Sequence, residues 1–309
     1  MIISTGMRTD IPAFYSKWLI NRLNAGFVCV KNPYNEHQIT RYELNPKVVD
    51  CICFCTKNPI PLLEYIDKEL KQYNQFWFVT ITPYGKDIEP NVIEKSQVIE
   101  AFKLLSNKIG KNAVGWRYDP IFYGNGWTKE KHIEAFTKIA HELKGYTDFC
   151  VISILDLYEK VKKNAPHICP PTKQEQLELL KEFVKIARDN DMILKSCYEG
   201  QFLEKVGVDC SGCQTAETIE KAIGQKLIVP NKKNARGACA CLLGQDVGAY
   251  NTCLHLCKYC YANADRQVVL ANAKNHNPNS PLLIGDIEKD DVITNAKQVS
   301  YINKQISFF

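Results

Sequence analysis

Short apolar, β-branched or aromatic runs alternate with amphipathic stretches of helical period over the first two thirds of the chain. The runs predict strands over 2–4, 27–30, 39–44, 48–54, 76–81, 113–117, 149–154 and 192–195. The amphipathic stretches predict helices over 13–23, 61–73, 92–109, 129–143 and 173–189. Two helix starts carry their own signals: Thr128 precedes a charged first turn with Glu130, and Pro171-Thr172 leads into a segment with Glu175 and Glu178. Strand alternating with helix predicts a parallel sheet, since a parallel neighbour is reached only through a crossover connection. Up to eight such strands predict an α/β fold with a TIM-like (β/α) barrel, complete or partial, over residues 1–196, its chemistry gathered at the C-terminal ends of the strands.

After residue 196 the pattern changes. Cys197, Cys210, Cys213, Cys239 and Cys241 appear among glycines and short loops, too irregular for another βα unit. Residues 197–309 are therefore expected to form a cysteine-rich C-terminal region packed over the barrel mouth. The Asn-rich stretch 272–279 reads as an exposed turn, and the terminal 305–309 as an apolar docking segment.

Composition changes this picture in one respect. With 309 residues, 45% hydrophobic and 24% charged, the chain can bury a full core. A net charge of +5, without a block of like charges, neither requires nor excludes a nucleic-acid partner. Fourteen cysteines would suggest disulfides in a secreted protein, yet the N-terminal residues lack the apolar run of a signal peptide and no stretch is long enough to span a bilayer. The expected compartment is a reducing cytoplasm, where many cysteines mean metal, cluster or redox chemistry.

The densest chemistry lies in Cys253-Leu-His-Leu-Cys257-Lys-Tyr-Cys260, a C-x3-C-x2-C run over 253–260. Three cysteines so spaced can ligate three irons of a 4Fe-4S cluster and leave the fourth iron without a protein ligand. Zinc is the rival, but structural zinc wants four ligands in a closed tetrahedron. Cys197, Cys213, Cys239 and Cys241 can hold an auxiliary 4Fe-4S cluster or a zinc, with Cys210 as the rival ligand, and inert buried thiols remain the plain alternative for each.

Strand ends supply further candidates. Residues two apart share a strand face, so Arg117 and Asp119 can turn inward together, either as a structural ion pair or with Arg117 free for a carboxylate or phosphate. Asp119, Ser153, Asp156 and Glu199 can serve ribose hydroxyls or a substrate ammonium group, against the plain role of fixing loops. Lys57 and Arg8 are cations at strand ends, expected to face the cavity. Cys51, Cys53 and Cys55 alternate along one face; the first two read as small buried hydrophobes, while Cys55, nearest the mouth, is a candidate hydrogen-atom donor to a substrate radical.

The cysteine spacing, with aromatic Tyr259 just before the third cysteine, resembles the signature of the radical S-adenosylmethionine enzymes. Over nearly the whole chain, Arg-Thr-Asp-Ile-Pro-Ala-Phe-Tyr from Arg8, Thr-Lys-Asn-Pro from Thr56, Trp-Arg-Tyr-Asp-Pro-Ile from Trp116 and Gly-Ala-Tyr-Asn-Thr-Cys from Gly248 resemble the bacterial family of unknown function DUF1848. The resemblance implies S-adenosylmethionine chelated at the open iron, Tyr259 packed near its adenine, a 5'-deoxyadenosyl radical that takes a hydrogen atom from an unidentified substrate, oxygen sensitivity, and a reductant such as flavodoxin or ferredoxin. Two departures stand out. The cysteine loop follows the last barrel strand instead of the first, and 27–32 offers no Gly-Gly-Glu to hold the cofactor's amino group. Cys55 also stands where similar sequences have tryptophan. Two other readings remain: a non-catalytic iron-sulfur protein that senses oxygen or passes electrons, and a zinc-stabilised nucleic-acid module, which scattered lysines argue against.

Overall fold

The computed structural model describes residues 1–230 and 240–303. Its strands are β1 (Ile2–Ser4), β2 (Phe27–Asn32), β3 (Asn35–Glu43), β4 (Cys51–Thr56), β5 (Gln75–Thr80), β6 (Val114–Ile121), β7 (Tyr123–Gly124), β8 (Phe149–Ile154), β9 (Ile168–Cys169), β10 (Ile193–Ser196), β11 (Gln245–Asp246) and β12 (Val292–Asn295). Helices are α1 (Ile11–Phe14), α2 (Ser16–Ala25), α3 (Ile60–Leu63), α4 (Lys95–Ile109), α5 (Lys129–Leu143), α6 (Glu159–Asn164), α7 (Lys173–Asp189), α8 (Ala216–Ile223) and α9 (Arg266–Lys274).

Seven strands make one parallel sheet in the order β10-β8-β6-β5-β4-β1-β11. From β1 to β10 each strand lies beside the one before it in the sheet, and β11 then returns to the free side of β1. Such one-way winding is that of a barrel, but the sheet is open: among the described residues β10 and β11 are its two ends and do not pair. The closed TIM-like barrel is not formed. The strand count falls short because β2 and β3 are joined by only two residues, too few for a crossover. They form an antiparallel hairpin that pairs with β12 in a separate three-stranded sheet. The segment expected as a C-terminal region contributes β11 and β12 to the two sheets, so it is woven into both.

Alternation along the strands divides the core. Ile52, Phe54, Trp77, Val79, Trp116, Tyr118 and Ile152 face outward beneath α4, α5 and α7, whose apolar stripes bring Phe102, Phe136 and Phe183. Phe136 and Phe183 stack at 3.9 Å, joining α5 to α7. The capping signals hold: Thr128 accepts from the Lys131 N–H, and Thr172 forms a capping box with Glu175. On the inner face Cys51, Cys53, Phe76, Phe78, Phe149 and Val151 pack around Ile219 of α8. Gly115 permits this, because a Cβ there would lie 2.6 Å from the Phe149 ring. The inner face is thus plugged by α8 and apolar side chains, and its open volume lies toward the C-terminal strand ends.

Two expected helices are broken. The one over 13–23 divides at Tyr15 (φ −129°, ψ 25°), whose hydroxyl donates to the Thr252 carbonyl at 2.6 Å. The one over 61–73 is α3, then turns, then a 3-10 segment Glu69–Gln72, with Lys68 at φ −117°, ψ −109°. The Asn-rich stretch 272–279 is only partly a turn, since α9 runs to Lys274. Residues 305–309 lie outside the described residues.

Candidate functional site

The strand ends enclose a cavity of about 330 Å³. Both cysteine groups line it: Cys253, Cys257 and Cys260, and Cys197, Cys213 and Cys241. Lys57, Arg117, Asp119, Ser153, Asp156, Tyr259 and Cys55 also line it.

The loop 253–260 is fixed by the segment between β5 and α4 and by the residues that follow the loop. Asn91 donates from Nδ2 to the Leu254 carbonyl at 2.7 Å, Asn263 donates to the Cys253 carbonyl at 2.7 Å, and the Lys258 N–H donates to the Ile88 carbonyl at 3.0 Å. Buried His255 donates from Nε2 to Asp10 Oδ2 at 2.8 Å, and the same oxygen accepts the Lys57 N–H at 2.8 Å. Asp10 so joins the loop to the ends of β1 and β4. Leu256 takes a left-handed backbone (φ 56°), rare outside glycine, which reverses the chain between Cys253 and Cys257.

A second buried network holds Tyr259. Its hydroxyl donates to Glu89, whose carboxylate also pairs with Lys95, pairs with Lys57 at 2.8 Å and accepts from Thr82 Oγ1 at 2.7 Å. Burial alone would raise the Glu89 carboxyl, but the two ammonium groups outweigh it and bring it down to about 2. The Tyr259 ring packs 6.0 Å from Tyr84 and 6.3 Å from Phe122. Neither Glu89 nor Asp10 was singled out from sequence: Glu89 follows no strand and belongs to no motif.

Burial pushes the thiols of Cys253, Cys257 and Cys260 up, with Asp10 adding to the effect at Cys253 and Glu89 at Cys257. Such a set becomes thiolate when a metal centre supplies the missing positive charge. Among the described residues no three cysteine sulfurs lie within 4.8 Å of one another. A tetrahedral zinc with bonds of about 2.3 Å would hold its sulfurs about 3.8 Å apart. Cys253, Cys257 and Cys260, soft and half-buried donors at the cavity wall, fit an iron-sulfur cluster better than a closed zinc site.

In the other group Cys213 Sγ lies 3.7 Å from Cys197 Sγ and 3.4 Å from Cys241 Sγ. Cys197 leaves β10 and Cys241 leads toward β11, so these thiols sit where the open sheet would close. The Cys213 hydrogen bond, helped by the Arg117 guanidinium, brings the Cys197 thiol down to about 7 against the opposing effect of burial. Cys239 lies outside the described residues. Cys210 turns away, its thiol bonded to the Gly200 and Val208 carbonyls at 3.5 and 3.7 Å.

Other candidates take more local roles. Arg117 is held by Asp119, Nε to Oδ2 at 3.0 Å, so the structural ion pair is formed. Glu199 is set behind the wall, accepting from Ser153 Oγ at 2.9 Å and the Ile154 N–H at 2.8 Å, and burial raises its carboxyl to about 7. Arg8 does not face the cavity: it pairs with Asp246 at 3.0 Å and ties β11 to the end of β1. Burial pushes the Cys55 thiol up, and Cys51 and Cys53 are buried among apolar side chains as expected.

The family model for a domain of unknown function, DUF1848, matches residues 2–262. The chain belongs to the DUF1848 family. That match spans the whole seven-stranded sheet and, among the described residues, all eight cysteines that line the cavity. None of the curated proteins compared with this DUF1848 chain matches it. No helix among the described residues is long and apolar enough to cross a membrane.

Proposed function

We propose that this DUF1848 protein is a radical S-adenosylmethionine enzyme working in a reducing cytoplasm, with its open sheet acting as a partial β/α barrel. The observation that carries the reading is the convergence of Cys253, Cys257 and Cys260 with the polar strand ends on one cavity. Cys253, Cys257 and Cys260 would hold a 4Fe-4S cluster, and Cys197, Cys213 and Cys241 with Cys239 an auxiliary one. When bound, the first cluster with S-adenosylmethionine supplies a 5'-deoxyadenosyl radical that takes a hydrogen atom from the substrate.

The protein's own part is positioning and shielding. Asp10 and His255 orient the cysteine loop, Glu89 fixes Tyr259 and Lys57 beside it, and Phe78, Ile154 and Leu155 keep the cavity wall apolar. Without a Gly-Gly-Glu segment, Asp119, Ser153 and Asp156 are the groups available to the cofactor's polar atoms. A flavodoxin- or ferredoxin-like donor would reduce the cluster. The test is paramagnetic resonance of anaerobically reconstituted, reduced protein. The reading expects a cluster signal that S-adenosylmethionine changes and that Cys257→Ala removes; a signal indifferent to S-adenosylmethionine would favour an iron-sulfur sensor or electron carrier.

A further inference from the structure

Most charges lining the cavity are answered from within the protein. Arg117 is held by Asp119, Lys57 by Glu89 and Asp10 by His255. Asp156 differs: it is exposed, it lines the cavity, and its carboxylate has no partner among the described residues. The same cavity is lined by Tyr158, Tyr198 and Tyr261, which remain 42%, 52% and 41% exposed. Tyr261 donates its hydroxyl to the Met7 carbonyl while its own carbonyl accepts from Lys160. Tyr198 is presented from a left-handed backbone (φ 64°), and the Tyr158 and Tyr261 rings stand 6.3 Å apart at 46°.

We propose that this side of the cavity is a subsite for an organic cation, an ammonium or sulfonium group on a small ligand, bound by the Asp156 carboxylate and the faces of Tyr158, Tyr198 and Tyr261. Ring faces attract cations through their quadrupole, and an unpaired carboxylate adds the one charge left unanswered in the wall. A bare divalent cation does not fit, because it needs six or more oxygen ligands and tyrosine faces offer none. Ile154 and Leu155 in the same wall suit the methyl or methylene groups around an organic cation. The cation can belong to the substrate or to the sulfonium cofactor of the proposed reaction. The subsite is built from cavity residues alone and does not depend on the cluster.

The test is binding, without turnover. Ligand-observed NMR titrations of the full chain, kept anaerobic, would compare choline with 3,3-dimethylbutan-1-ol, its neutral isostere. Choline is expected to bind about tenfold more tightly than the alcohol, a difference of about 1.4 kcal/mol. Asp156→Asn and Tyr158→Leu should each weaken choline and leave the alcohol unchanged; both residues are exposed, and a thermal melt confirms that the variants fold. Displacement of choline by S-adenosylmethionine would assign the subsite to the cofactor's cation, and retention to the substrate's. Equal binding of choline and the alcohol, no saturable choline binding, or an Asp156→Asn variant that binds choline normally would overturn the proposal. None of these readouts changes if the protein fails to cleave S-adenosylmethionine.

Discussion

Removing the Glu89 carboxylate should both destabilise the protein and release the cysteine loop. The side chain is 0% exposed, and its partners Lys57 and Lys95 are 12% and 26% exposed. Glu89→Ala leaves a buried ammonium and the Tyr259 and Thr82 hydroxyls without their acceptor. Breaking a buried pair from one side costs about 3–5 kcal/mol, and Lys95 can turn partly to water, so about 3 kcal/mol is expected. That is about 150-fold in the unfolding equilibrium. For a chain of this size the melting temperature should fall by about 5 °C. Glu89→Gln keeps the shape but loses the charge, which gives a pH test with a definite sign. The folded carboxyl titrates at about 2 and an ordinary glutamate at 4.5, so its stabilisation is complete above pH 4.5 and is lost as pH falls toward 2. Tryptophan-fluorescence melts at pH 7, 4.5 and 3 should show the gap between native protein and Glu89→Gln closing below pH 4.5. A gap that stays constant over that range, or a Glu89→Ala variant that melts within about 1 °C of the native protein, would refute the reasoning.

Chemical analysis of reconstituted protein should find about eight irons per chain for two 4Fe-4S clusters, about four fewer in Cys257→Ala and no change in Cys210→Ala; a native value near four would remove the auxiliary cluster. Arg8→Ala should cost about 2 kcal/mol by leaving buried Asp246 without its guanidinium, with iron content unchanged, because Arg8 holds β11 and does not enter the cavity. His132 is buried between the Tyr118 hydroxyl and the Phe122 carbonyl, each at 2.8 Å, and burial lowers its pKa to about 4. Stability should therefore decline as pH falls from about 6.5 to 4, by up to about 3 kcal/mol, and His132→Gln should flatten that part of the profile.

Periodicity recovered what local physics determines. The strands β1 and β8 and the helices α5 and α7 have the expected bounds, because alternation, amphipathic stripes and Thr caps all act within a few residues. The sheet's open edge and its seventh strand were not legible. β11 has two residues, no pattern of its own, and exists because β1 has a free edge. The eight residues between the expected strands 27–30 and 39–44 were already too few for a crossover, a hairpin signal that the expectation of eight parallel strands overrode. Tyr15 breaks a helix to reach Thr252, a contact 237 residues away in sequence. At the site, the cysteine motif and most strand-end residues were readable because their chemistry is carried by residue type and spacing. Glu89, Asp10 and the outward turn of Arg8 were not, since each depends on partners that only folding assembles.

The most direct measurement is 5'-deoxyadenosine formation by anaerobically reconstituted protein given S-adenosylmethionine and a strong reductant, beside Cys257→Ala. Product from the native chain and none from the variant is the predicted result. A fully loaded, reducible cluster that yields no product would contradict the enzymatic account and leave a sensor or electron carrier in its place.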